Sequence, residues 1–183
     1  MLAKRSFRVL TALMTMALAL IGVQLVAESA AIADSSLNVR TVYYSASAYG
    51  TQADQAAQIW SSRAPNVRMV RGGSATIRIY GTTGGGSRAY PCGAGCATIY
   101  IDSNDIRAGH NPLRIVTHEI GHGLGLPDNY NGVCSYLMSG GSAGTSCTNP
   151  YPNAAEANRV NQIFAFNGAR IGPFATDVYA PAS

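Results

Sequence analysis

HEIGHGLGLPD (118–128) holds two of the chain's three histidines, four residues apart around a glutamate, and closes on an aspartate. On a helix, His118 and His122 leave the same face one turn apart, so both imidazoles can bind one ion. Glu119 stands beside that stripe, where its carboxylate can reach a water on the metal without being a ligand. A further helical turn would carry the chain away from the ion. Gly125 can take the positive φ that folds the chain back, and Pro127 discourages continuation, so Asp128 arrives as the third ligand. Two histidines and an aspartate leave one position for water, the pattern of a catalytic zinc. This spacing arises by chance about once in 10^5 to 10^6 chains; a pair of buried structural histidines is the rival reading.

Outward from this phrase, Asn111 can cap the helix and Pro112 suits its first position, so the helix is expected to run from Pro112 to Gly123. Leu113, Val116 and Ile120 lie on a different face and give it somewhere to pack, while the histidines look outward into a cleft. His110, alone before the cap, reads as a surface or packing residue. Upstream, NVRTVYYSA (38–46), VRMV (67–70), ATIRIYG (75–81) and ATIYID (97–102) read as strands, and QADQAAQIWSSRA (52–64) as a helix stopped by Pro65. GTTGGGSRAYPCGAGC (81–96) reads as a flexible surface loop, since no Lys-Ser or Lys-Thr follows its glycines and no phosphate-binding helix starts there. Downstream, a glycine-rich loop (123–150) precedes a helix in NAAEANRVNQIFAFNG, with Asn153 and Glu156 as a capping box and Gly168 as its stop.

The 183 residues, 12% of them charged, suit one folded domain behind a processed segment. Lys4, Arg5 and Arg8 precede an apolar run from Val9 to Ala27, and Ala31-Ile32-Ala33 has the spacing of a signal cleavage site. Residues 1–33 are therefore expected to be a signal peptide, with an uncleaved membrane anchor as the rival, and residues 34–183 the domain. Loss of that segment leaves ten basic residues against eight acidic ones, a formal +2. The remaining arginines are scattered singly, so nucleic-acid binding has no support, and no later segment could cross a membrane. Four cysteines in an exported chain fit two disulfides with three connectivities. Cys92 with Cys96 and Cys134 with Cys147 are favoured because each pair lies in one glycine-rich stretch; a metal site using Cys92 and Cys96 is the rival.

H-E-x-x-H-x-x-G-x-x-D, followed by Met138 in SYLMS, resembles the snapalysins, small secreted zinc endopeptidases of the metzincin clan. IDSNDI, HEIGHGLGLPDNY, CSYLMSGG and SCTNPYPNAAEANRVNQ carry the resemblance, from about Ile99 to the last helix. It implies that His118, His122 and Asp128 hold one Zn2+, that Glu119 is the base acting on the zinc-bound water, and that Met138 forms a turn beneath the metal. It also implies a Cys134–Cys147 disulfide, a preference for an aromatic residue after the scissile bond, and in some members a structural Ca2+ that maps to no residue here. Tyr130 matches a family tyrosine that either assists at the metal or lines the pocket wall. Residues 34–38 are short for a pro-segment, and the tail 169–183, outside the resemblance, reads as irregular.

The expected fold is an α+β, metzincin-like zinc protease domain: a small twisted mixed sheet with a backing helix, an active-site helix and a C-terminal helix. ATIYID is expected to be the edge strand nearest the cleft, pairing with an extended peptide. The expected function is a secreted, extracellular and monomeric endopeptidase acting on proteins or peptides. A zinc amidase or esterase on a small substrate, and a non-enzymatic zinc-stabilised binding module, are the alternatives.

Overall fold

The computed structural model describes residues 39–165 and Tyr179. The chain divides into a unit of residues 1–36 and a unit of residues 37–183, and the described residues belong to the second. The expected signal peptide, the pro-segment, the Gly168 helix stop and the tail apart from Tyr179 lie outside them. Among the described residues no helix is long and apolar enough to cross a membrane.

Alternating apolar and polar residues make one face of each strand a core face. In β1 (Arg40–Ala46), Val42 and Tyr44 are buried while Thr41, Tyr43 and Ser45 are exposed. β2 (Val67–Arg71), β3 (Ile77–Thr82) and β5 (Cys96–Asp102) repeat the pattern with Val67 and Met69, Ile77 and Ile79, and Ala97, Ile99 and Ile101. The fifth strand, β4 (Arg88–Gly93), lies in the stretch read from sequence as a flexible loop. The sheet order is β2-β1-β3-β5-β4, parallel except that β4 runs antiparallel to β5. That order corrects a second expectation: β5 is interior, and β4 is the edge strand. A parallel sheet usually needs cover on both faces. Here the second face is sheathed by its own side chains, with Tyr80 stacked on Tyr100 and Arg88 over the Tyr100 ring.

Helix α1 (Gly50–Arg63) buries Ala53, Ala56, Ala57, Ile59 and Trp60 against the core face. The Trp60 indole N–H donates to the Thr117 carbonyl at 3.0 Å, tying α1 to the helix that carries the histidines. A short helix, α2 (Ser103–Arg107), follows β5 directly, and Asp102 caps it by accepting from the Asn104 N–H. Helix α3 spans Pro112–Gly123, and the Asn111 side chain accepts from the Arg114 N–H, as the sequence leads one to expect. A kinked 3-10 segment over Leu137–Ala143 orders part of the long glycine-rich loop. Helix α4 (Ala154–Ala165) starts with the expected capping box: Glu156 N–H donates to Asn153 Oδ1, and Asn153 N–H donates to Glu156 Oε2.

Both disulfides form as expected, Cys92–Cys96 across the β4–β5 turn and Cys134–Cys147 across the loop that carries Met138.

Candidate metal centre

Helix α3 ends where the chain must turn back. Gly125 has φ 101°, its N–H donates to the His122 carbonyl, and the Leu126 N–H reaches the Gly121 carbonyl at 3.0 Å. This pair of bonds is a Schellman closure, which requires the left-handed residue that glycine supplies. The same turn aims the Leu126 carbonyl at His122 Nδ1, 2.8 Å away. It also returns Asp128 to the histidines, so one local device places the aspartate and orients the His122 ring.

His118 Nδ1 likewise faces the Leu137 carbonyl at 3.0 Å. A carbonyl can only accept, so both Nδ1 atoms are donors, and in the neutral rings both Nε2 atoms carry lone pairs. Those lone pairs face each other at 3.1 Å, and Asp128 Oδ1 stands 3.3 Å from each. Three acceptors aimed at one point repel unless a cation lies between them. Ligand bonds of about 2.0 to 2.1 Å in a tetrahedron place ligand atoms about 3.3 Å apart, which is the spacing seen. The residues therefore fit a zinc ion.

The centre is buried: His118, Glu119 and His122 are almost fully shielded. The histidines do not look out into an open cleft, which corrects the expectation from helix periodicity. Glu119 Oε1 lies 4.0 Å from His118 Nε2, and neither Glu119 oxygen has a hydrogen-bond partner among the described residues. Although His118, Glu119 and His122 together offer atoms within 4.8 Å of one another, the Asp128 oxygen is nearer to both nitrogens. Asp128 is thus better placed than Glu119 to complete a three-atom set, and Glu119 stands beside it with no hydrogen-bond partner among the described residues.

Burial and neighbouring charges act on these groups in different directions. Burial pushes the Glu119 carboxyl up to about 8 and pulls His118 down. Burial would also lower His122, but its hydrogen bond to Asp128 and the charges of Glu119 and Asp128 raise it to about 9. Asp128 is desolvated too, yet the two imidazoles hold it well below the usual carboxylate range.

Met138 packs under the helix, as the resemblance implies. A Cβ on Gly121 would lie 2.8 Å from its sulfur, so this glycine lets the thioether approach the helix between the two histidines. Gly140, at φ 56°, passes close to both His118 and the half-exposed Tyr130: a Cβ there would lie 3.2 Å from His118 Cε1 and 3.1 Å from Tyr130 Cε1.

Several residues that organise the site carried no sequence signal of their own. Arg114, buried on α3, donates to the carbonyls of Cys134, Tyr136, Leu137 and Asn149 and to Ser139 Oγ. Glu156 accepts from the Leu137 and Met138 N–H groups as well as from Asn153. Its capping role was legible in the local spacing; its second role, reaching 18 residues back, was not. On the other side of the site, Gly84 and Gly86 donate to Asp102, and Ser87 N–H donates to Asp105 at 2.7 Å. Desolvation opposes ionisation of Asp102, but its three backbone donors hold its pKa below the ordinary value. The stretch read as flexible is pinned.

His110 is a packing residue, as expected; its ring meets that of Tyr179 edge-on at 5.5 Å. Of the groups that could share an ion among the described residues, the histidine cluster stands alone, and the calcium implied by the resemblance gains no residues.

Residues 39–167 match the family described as the Streptomyces extracellular neutral proteinase (M7) family. An extracellular small neutral protease of Streptomyces lividans is 44% identical over 149 residues, 79% of this chain and 65% of that protein. Its namesake from Streptomyces caespitosus is 49% identical over 111 residues, 60% of this chain and 83% of that one. The chain thus spans just under two thirds of the length of the first of these relatives. Among solved structures, a hatching-enzyme zinc protease from the medaka fish Oryzias latipes aligns with a TM-score of 0.46 and 16% identity, over 70% of this chain and 91% of that one.

Proposed function

Because the chain belongs to the Streptomyces extracellular neutral proteinase (M7) family, we propose that it is a secreted zinc endopeptidase in which His118, His122 and Asp128 hold the metal and Glu119 is the general base. One observation carries this reading: two Nε2 lone pairs and a carboxylate oxygen converge at 3.1 to 3.3 Å beside a glutamate with no partner of its own among the described residues. A zinc ion held there supplies a Lewis acid that polarises a peptide carbonyl and acidifies water.

The protein's own groups do the rest. The Leu126 and Leu137 carbonyls keep both imidazoles in one tautomer, with Nε2 aimed at the ion. Glu119, buried beside the histidines with no partner of its own among the described residues, is placed to take the proton of the attacking water and return it to the leaving amine. Among the described residues β4 is an edge strand, the kind of element to which an extended peptide can add, which favours peptides over small esters or amides. Within this reading residues 1–33 are the signal peptide, proteins or peptides are the partners, and cleavage precedes an aromatic residue.

The test is zinc analysis together with digestion of a peptide library with and without a zinc-selective chelator. One zinc per chain, and internal cleavages before aromatic residues that the chelator abolishes, are expected. Absence of bound zinc, or cleavage unchanged by the chelator, would sink the reading.

A further inference from the structure

Tyr179 lies beyond residues 39–167, the part of the chain that matches the family, yet it is 1% exposed. Among the described residues, its partners all lie inside that match. Its ring meets the His118 ring edge-on at 5.0 Å and the His110 ring at 5.5 Å. Arg114 hydrogen-bonds its phenol, and the phenol is close enough to Glu119 and Asp105 to feel their charges. One aromatic side chain from outside the matched domain thus fills a pocket whose wall is a metal ligand.

The backbone is engaged as well as the ring. The Tyr179 N–H donates to the Ser87 carbonyl at 2.7 Å, next to the first residue of edge strand β4. Ser87 is prepared as an acceptor: Asp105 takes its N–H and its hydroxyl accepts from the Asp102 N–H, which leaves the carbonyl free. A backbone bond to a sheet edge combined with a side chain in an adjacent pocket is how peptides bind by strand addition. A residue that merely completed a core would need the pocket but not the edge.

We propose that Tyr179 is a tethered ligand of the substrate cleft: it occupies in cis the pocket between His110, Arg114 and His118, and a peptide bearing an aromatic side chain must displace it to bind. This rests on the reading of the β4 edge beside the histidines as a peptide-binding site, and it adds that the chain competes with its own substrate. A ligand carried on the same chain competes at an effective concentration on the order of mM. For an intrinsic Kd near a tenth of that value, occupancy weakens substrate binding about tenfold.

Two measurements on the full chain decide it. In the zinc-loaded Tyr179→Ala variant, KM for a tyrosine-containing peptide should fall about tenfold with kcat little changed, and Tyr179→Phe should keep most of the block. An unchanged or higher KM in a folded Tyr179→Ala variant would overturn the proposal. Independently of turnover, the Tyr179 ring resonance is assigned by its loss in Tyr179→Phe. In a Glu119→Gln background, addition of a tyrosyl peptide should move it to the position of an exposed tyrosine. A resonance that stays put while the peptide binds makes Tyr179 a core residue and ends the proposal, even if Tyr179→Ala fails to fold. If the zinc-loaded chain cleaves no peptide at all, the enzymatic reading fails, while displacement of the ring by the peptide still stands or falls by itself.

Discussion

Two glycine-rich stretches, residues 123–128 at the end of α3 and residues 81–87 at the end of β3, are held by opposite means. The first closes on itself: the Gly125 and Leu126 N–H groups bond to carbonyls three and five residues back, and Leu126 returns a carbonyl to His122. The second has its glycines held from across the sheet, with Gly84, Gly86 and Ser87 donating to Asp102 and Asp105. A turn whose partners are local announces itself in the order of residues. A turn held from 16 to 18 residues away does not, and is easily mistaken for a flexible loop. In the proposed function the first stretch and its helix carry the zinc chemistry, and the second lies beside the edge strand where a peptide would pair.

The strongest way to break that assignment is Glu119→Gln. The amide keeps the shape and leaves the ligands untouched but cannot accept the water proton, so kcat should fall by roughly 10^2 to 10^4. Zinc content, measured on the purified variant, should remain at one per chain. Retained turnover would move the base elsewhere.

Asp105→Ala tests the second stretch. It strands the buried Ser87 N–H, a loss of about 1 to 3 kcal/mol in unfolding free energy, read as a lower denaturation midpoint. Zinc affinity should hold while KM for peptides rises, because Ser87 sits beside the edge strand. If zinc is lost along with stability, the two stretches are not separable as described.

What the sequence made legible follows the same division. The i, i+4 histidines, the Asn111 cap, the Gly125 turn and the Asn153–Glu156 box are all local patterns, and each appears where the spacing put it. Strand β4 was missed because RAYPCG has a proline and a cysteine where alternation should show, and its pairing depends on β5 and the Cys92–Cys96 link. Without β4, ATIYID looked like the edge. Arg114 and Glu156 posed a subtler problem. Each buries a charge to gather backbone groups of the 134–149 loop, and nothing in the identity of a lone arginine or glutamate says which distant carbonyls or amides it will serve. The burial of the histidines was also out of reach, since part of their cover comes from Tyr179, far along the chain.

Gly125→Ala and Gly84→Ala sharpen the comparison most finely, because both place a methyl group on a backbone with positive φ, 101° and 92°. The left-handed conformation costs an L-residue about 1 to 2 kcal/mol, so both variants should lose comparable stability. Relaxation of the Gly125 turn should also shift Asp128 and the Leu126 carbonyl, lowering zinc affinity about tenfold or more by analogy with disturbed outer-shell partners. Gly84→Ala is the smaller change. The nearest atom to its new Cβ is Asn104 Nδ2 at 3.9 Å, an ordinary contact, so the backbone penalty stands alone. Zinc affinity, measured by competition with a chromogenic chelator, should equal that of the parent chain. A loss of affinity there would mean that the 81–87 stretch helps to hold the ligands, and the division of labour between the two stretches would have to be abandoned.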